Sequence, residues 1–339
     1  MRDDDEILAT PGLEFGSGVV GVCDICHKRQ AVIILEKERY QLCVIDFLNK
    51  TFIDSHEKPG RPLPPYRSER VWYETDAVPG GKAPAILLSP TKPVKRPAIL
   101  VAPDIYGLTT TLLDAGIRFA REGFEVLLPD VGKTAGVGPA DHLSLRSGVM
   151  FGGGVGIESP RVRHLTALYR DALRFVRGRE IVDATKGAIF GASFGAALAT
   201  AVAAEDRSTT ALVLAYPVPV KPVEFLKLLT CPVFVVSGTA DRRGVAGRAQ
   251  FADAGQRGEI QVSFLDLEGA RHGFLARDLS SYDVRSAEAA WAGMIRFMRS
   301  RLLPPPPKPP APPKTQTSLP PVSGTPAPSA GAPRPAAPA

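Results

Sequence analysis

Between residues 69 and 303 the chain repeats one pattern, a short apolar run followed by a longer segment with helical spacing. The runs are "AILVAP" (98–103), "FEVLLPD" (124–130), "GAIFGAS" (187–193), "ALVLAYP" (211–217), "PVFVVSG" (232–238) and "QVSFLDL" (261–267). They are rich in β-branched residues and do not alternate with polar ones, so they read as buried parallel strands. Helical segments are expected near 109–121, 161–178, 194–204 and 285–302. In the last of these, Trp291, Ile295, Met298 and Leu302 fall at spacings that share one helix face. Alternating strands and helices predict an α/β sandwich with a mostly parallel central sheet and right-handed crossovers. Two earlier strands, "RVWYETD" (70–76) and "PAILLSP" (84–90), follow each other with no helix between them and predict an antiparallel start to the sheet.

Composition breaks this pattern at both ends. The segment from 304 to 339 has 15 prolines in 36 residues, with mostly Ala, Ser, Thr and Gly around them. Such a tail buries too little apolar surface to offset its ordering entropy, and it reads as disordered with local polyproline II. Its "PPPPKPPAPPK" is a candidate ligand for an aromatic groove on a protein partner. A Pro/Gly cluster at 59–68 reads as a linker, leaving 1–18 as a tail and 19–58 as a small separate module.

The chain carries a formal net charge of +6, which raises the question of nucleic acid. Residues 1–64 hold 8 basic and 11 acidic side chains, 65–303 hold 30 and 24, and the tail holds 3 and none. No basic stripe interleaved with aromatics exists, so nucleic acid is not an expected partner. No apolar run reaches the roughly 18 residues of a membrane span, and the acidic first residues do not resemble a secretory signal. The expected location is the cytoplasm.

The strand ending at Ala192 runs into "GASFGA" (191–196) and then a helix. G-x-S-x-G at a strand-to-helix junction is the nucleophile-elbow pattern, in which flanking residues must be small and the serine backbone is strained. Ser193 is therefore a candidate nucleophile. A serine needs a base and a group to orient that base, supplied by later strand ends in the order acid, then histidine. "FVVSGTAD" ends a strand at Asp241, and "FLDLEGARHGF" ends another at His272. Among the other histidines, His27 and His56 precede the main domain, His164 sits on a helix surface, and His142 lies in a loop able to line a pocket. Asp266 is the rival acid, but it lies within its strand, and position favours Asp241. The N–H of Phe194, next after the nucleophile, is one oxyanion donor, and the loop after "AILVAP" supplies the second.

Taken together, "APDIYGLTTTLLDAGIRFAREGFEVLLPD", "GASFGAALA", "SGTADRRG" and "RHGFLARDLSSYD" resemble the dienelactone hydrolase family of α/β-hydrolases across nearly all of 69–303. The resemblance places Ser193 as nucleophile, Asp241 as acid, His272 as base and Ile105 as the second oxyanion donor. It places Asp104 where the family often has a glutamate touching the nucleophile, and Tyr106 and Phe274 at pocket walls. Family members commonly use cysteine where this chain has Ser193. The family arginine four residues past the histidine is Ala276 here, with Arg277 next to it as a candidate for a substrate carboxylate. The implied activity is hydrolysis of a carboxylic ester or lactone other than dienelactone, with no catalytic cofactor. A peptidase or acyl transferase on the same triad, or an inactive scaffold, are the alternatives.

In the N-terminal module, Cys23 and Cys26 form a C-x2-C pair, and sixteen residues later Cys43 and Asp46 form C-x2-D. This spacing resembles a zinc ribbon or treble clef, with one structural Zn²⁺ held by Cys23, Cys26, Cys43 and Asp46. The intervening "QAVIILEKERYQL" alternates as a short hairpin would.

Overall fold

The structure is a computed structural model that describes residues 66–103, 107–130, 154–277 and 279–303, with the backbone of four short strands between 21 and 42. Those strands are β1 (Gly21–Val22), β2 (Gln30–Ala31), β3 (Ile33–Leu35) and β4 (Tyr40–Leu42). β1 pairs antiparallel with β2, and β3 with β4 in the register Ile33 to Leu42. The expected hairpin is therefore present as β3–β4. The four expected zinc ligands lie outside the described residues, as does the proline-rich tail.

The main sheet has eight strands. β5 (Tyr66–Glu74) and β6 (Lys82–Pro90) form the antiparallel start that the sequence predicts. β5 begins at Tyr66, so three residues read from sequence as linker belong to the sheet. Then come β7 (Arg96–Val101), helix α1 (Thr110–Arg121), β8 (Glu125–Pro129), the short β9 (Val155–Gly156) and helix α2 (Pro160–Arg177). β10 (Val182–Ala192), α3 (Phe194–Glu205), β11 (Ala211–Ala215) and β12 (Val220–Lys221) follow, and β12 pairs with β9 outside the main sheet. β13 (Val233–Gly238), α4 (Gly244–Gln256), β14 (Val262–Leu267) and α5 (Val284–Leu302) complete the fold.

The strand order is β14-β13-β11-β10-β7-β8-β6-β5. Only β6 runs against its neighbours on both sides, β8 and β5, and every other pairing is parallel. All six apolar runs read from the sequence are strands of this sheet. β7, β8 and β11 are buried along their whole length, as two-faced parallel strands must be. β14 differs because it is the sheet edge, so Val262 and Phe264 are only half-buried.

Helices cover both faces. Leu112, Leu113 and Phe119 of α1 and Trp291, Met294 and Met298 of α5 fill the core on one face. Leu165, Leu168 and Tyr169 of α2, all of α3 from Phe194 to Ala204, and Phe251 and Ala254 of α4 fill the other. α3 is apolar all round because it is enclosed on every side, and its alanines let neighbouring backbones come close. α4 is not evident in the sequence: "GVAGRAQFADAGQ" has three glycines and only a few apolar residues at helical spacing, yet tertiary packing on Phe251 makes it helical.

The strand N-terminal end of the sheet is closed by a buried charge network. Glu125 is fully buried at the start of β8. It accepts hydrogen bonds from Ser89 Oγ at 2.7 Å and Arg179 Nε at 3.1 Å, and pairs with Arg96 Nη1 at 3.9 Å. Arg96 also donates to the carbonyl oxygens of Pro90 and Val94 at 2.6 and 3.0 Å, and to that of Lys92. Among the described residues no helix is long and apolar enough to cross a membrane.

Trp291 joins α5 to α1 through Phe119 and to the sheet through Phe190, both ring contacts at 5.9 Å, and Arg118 lies over its ring. Trp291→Ala is expected to cost about 3–5 kcal/mol, read as a lower urea midpoint with an unchanged denaturant slope.

Candidate functional site

Ser193 lies between β10 and α3 with φ 53° and ψ −119°, a backbone strained for any residue with a Cβ. Close packing enforces it. A Cβ on Gly191 would lie 2.2 Å from the carbonyl oxygen of Gly195, and one on Gly195 would lie 2.4 Å from that of Pro103. Both glycines of the elbow are therefore obligatory. The Ser193 N–H is fixed by the carbonyl of Ala215 at 3.0 Å.

Ser193 also occupies the N-cap position of α3, where serine ordinarily turns its hydroxyl onto the helix amides. Thr109, Ser159 and Asp283 do so at the starts of α1, α2 and α5. Ser193 makes no such bond. Its Oγ instead lies 2.9 Å from His272 Nε2. The hydroxyl is diverted from a structural role to the imidazole.

His272 lies in the loop after β14. Its Nδ1 is 2.8 Å from Asp241 Oδ2, which leaves Nε2 to accept the Ser193 O–H when the carboxylate is ionised. Asp241 follows β13 and is 1% exposed. Its Oδ1 accepts the N–H groups of Arg243 and Gly244 at 2.9 and 2.8 Å. A Cβ on Gly244 would stand 2.2 Å from Oδ2, so glycine is needed to admit the carboxylate. The two loops are laced together: Thr239 N–H donates to Leu267 O, Ala240 N–H to Ala270 O, and Gly269 N–H to Thr239 Oγ1.

Asp266, the rival acid, points elsewhere. It pairs with Arg248 of α4 at 2.6 Å on the exposed edge of the sheet. Its place in β14 puts it on the sheet face that α4 covers, within reach of Arg248.

Phe194 is the first residue of α3, so its N–H is among those with no partner inside the helix, and the helix dipole favours an anion beside it. Asp104, Ile105 and Tyr106 lie outside the described residues, as does His142; the preceding Pro103 packs directly on Gly195. Phe274, expected at a pocket wall, is instead fully buried and packs on Tyr216 with ring centres 5.3 Å apart. Arg277 is exposed and sits near enough to Glu288 of α5 to help hold that carboxyl below its usual range, after the larger contribution from Arg118. It does not line the cleft beside His272. His164 of α2 is half-buried and remote from Ser193 in the fold.

Sequence reasoning missed two features. Tyr216, at the end of β11, holds φ 37° and sets its buried ring edge-on to His272 at 5.0 Å. Its position at a strand's C-terminal end was the available signal. Arg242, Arg243 and Arg271, each next to or near a candidate triad residue in sequence, line a cleft of about 580 Å³ that has His272 in its wall. Cys231 is not a substitute nucleophile. It is buried, and burial pushes its thiol up to about 11. Among the described residues no three His, Cys, Asp or Glu side chains converge as metal ligands.

No curated protein sequence matches the chain. Solved structures share its fold. One is a dienelactone hydrolase-like promiscuous phosphotriesterase from metagenomic libraries, 22% identical with a TM-score of 0.58, covering 70% of this chain and 99% of that one. Another is a dienelactone hydrolase from Anabaena variabilis, 16% identical with a TM-score of 0.52, covering 70% and 99%. A third is a puromycin-hydrolyzing peptidase from Mycobacterium tuberculosis, 17% identical with a TM-score of 0.53, covering 71% of this chain and 40% of that one. The dienelactone hydrolase family profile matches residues 83–302, which span β6 to α5 and hold Ser193, Asp241 and His272, and the chain belongs to the dienelactone hydrolase family.

Proposed function

We propose that this chain is a hydrolase that cleaves a small carboxylic ester or lactone with Ser193 as nucleophile, His272 as base and Asp241 as its orienting acid. The observation that carries this reading is the hydrogen-bonded chain from Ser193 Oγ to His272 Nε2 and from Nδ1 to Asp241, with Ser193 on a strained backbone. Ser193 Oγ attacks the carbonyl carbon as His272 Nε2 takes its proton. Asp241 stabilises the imidazolium, held in place by two backbone amides. The Phe194 N–H and that of Ile105 receive the oxyanion. His272 returns the proton to the leaving oxygen, and a water activated by the same imidazole then releases the acyl group. That a peptidase and a phosphotriesterase share this fold supports a hydrolase, while leaving the bond to be named by the site.

A serine, unlike a thiolate, must lose its proton during attack, so the reaction depends on His272 throughout. A fluorophosphonate probe is expected to label the wild type at Ser193, read by mass spectrometry of the modified peptide. Ser193→Ala should take up none. Asp241→Asn should lower kcat by about 10⁴-fold on an activated ester. Labelling that persists in Ser193→Ala removes the nucleophile assignment, and an unlabelled wild type favours the inactive scaffold.

We also propose that Cys23, Cys26, Cys43 and Asp46 hold one structural zinc ion. β1 ends one residue before Cys23 and β4 one residue before Cys43, so a strand leads directly into each ligand pair. Bound zinc would supply folding free energy to a module too small for a large core. Elemental analysis of the full chain should find about one zinc atom, lost in Cys43→Ala; a metal-free wild type refutes the site.

A further inference from the structure

We propose that the outer edge of β5 is a dimer interface, pairing antiparallel with β5 of a second copy of this chain about a two-fold axis at Trp72. The inference is independent of the hydrolase reading. β5 ends the sheet, four strands from β10, and among the described residues no strand pairs with its outer edge. Natural sheets blunt such an edge with proline, a bulge or a very short strand. β5 has none of these. It spans nine residues without proline and keeps an unbroken register to β6, from Tyr66 opposite Pro90 to Glu74 opposite Lys82. The proline lies on the partner strand and shows which backbone groups face outward. Pro84 has no N–H, and its carbonyl oxygen accepts from Asp130, just past β8, on the side away from β5. Trp72, opposite Pro84, is therefore in a non-hydrogen-bonded pair with β6. By alternation, the N–H and C=O groups of Arg70, Trp72 and Glu74 all point to the outer edge.

The side chains of these three residues are self-complementary. They share one face of the sheet, and the Arg70 guanidinium lies over the Trp72 ring, 5.4 Å from its centre. All three are exposed, Trp72 to 53%. Tryptophan and arginine are the residues most enriched at the energetic centres of protein interfaces. Among the described residues neither Arg70 nor Glu74 has an ion-pair partner. Charged side chains are another common guard of sheet edges, but here their order attracts a second copy. Along the strand the stripe reads cation, aromatic, anion. A two-fold axis at Trp72 reverses the second copy, so Arg70 meets the second copy's Glu74, and Glu74 meets its Arg70. The two indole rings meet at the axis. The outward backbone groups of the same residues fall opposite each other and form the ladder. An axis at Arg70 would set two guanidinium groups face to face, so charge selects the register. One strand pair is smaller than a standard interface, and the expected dimer is weak, with Kd on the order of 10 µM.

Sedimentation velocity of the full chain over roughly 1–200 µM tests this. The wild type is expected to pass from monomer to dimer across that range, less readily in high salt. Arg70→Glu sets glutamate against glutamate across the axis, and Glu74→Arg sets arginine against arginine. Each alone should weaken the dimer about tenfold or more. An equimolar mixture of the two variants should recover it, because every glutamate of one then meets an arginine of the other. A second readout needs no variant: the amides of Arg70, Trp72 and Glu74 should exchange hydrogen more slowly at the top of the range than at the bottom. A wild type that stays monomeric, or whose β5 amides exchange equally at both concentrations, overturns the proposal. So does a dimer that either variant alone leaves intact, or a mixture no more dimeric than its components.

Discussion

The carbonyl oxygen of Pro103 stands where a side chain on residue 195 would have to be, and that of Gly195 stands where one on residue 191 would be. These two contacts bring the end of β7, the end of β10 and the start of α3 closer together than any Cβ permits. The chain can turn that sharply only by forcing Ser193 to φ 53°. A strained residue of this kind costs about 1–3 kcal/mol, so the surrounding structure has to over-determine it. The enclosed alanine helix α3 and the fully buried strands β7 and β11 on either side of β10 do so. The consequence is chemical. A serine that would cap its helix points its hydroxyl at an imidazole instead.

That imidazole is positioned by packing as much as by hydrogen bonding. The loop bearing His272 is laced to the loop bearing Asp241 by three bonds to backbone N–H groups, and a Cβ on Gly238 would strike the carbonyl of Ala270 at 2.1 Å. Tyr216, itself strained, holds the ring edge, and Phe274 backs Tyr216. Phe274 thus acts one layer behind the site. The resemblance to the family suggested a pocket wall because it fixes the residue's place along the chain, whereas depth depends on which ring packs in front of it.

The sheet was largely legible because its information is local. Apolar runs such as "ALVLA" can satisfy their backbone groups only between neighbours, and their buried faces need helices on both sides. The order of Ser193, Asp241 and His272 was legible for a related reason: parallel strands deliver their loops to one end of the sheet. α4 was not, because its glycines serve close approach, Gly247 against Pro217 and Gly244 against Asp241, at the expense of helical periodicity. Tyr216 and Arg271 were not, because their importance lies in the ring or loop across from them. Position after its strand already favoured Asp241 over Asp266, and the partner across space, His272 for one and Arg248 for the other, agrees with that choice.

The two ends of the sheet solve opposite problems with the same kinds of residue. At the strand N-terminal end, Arg96 and Arg179 converge on the buried Glu125, and the carbonyls of the 90–94 turn absorb the remaining donors of Arg96. Removing one partner from such a buried group would strand the others without water, which makes the network a lock. At the strand C-terminal end, Arg242 and Arg271 stay at the surface, and the one carboxylate among them is already committed to His272. Arginines tied to a buried carboxylate at one end and exposed at the other divide the sheet into a half that locks the fold and a half that carries the candidate site.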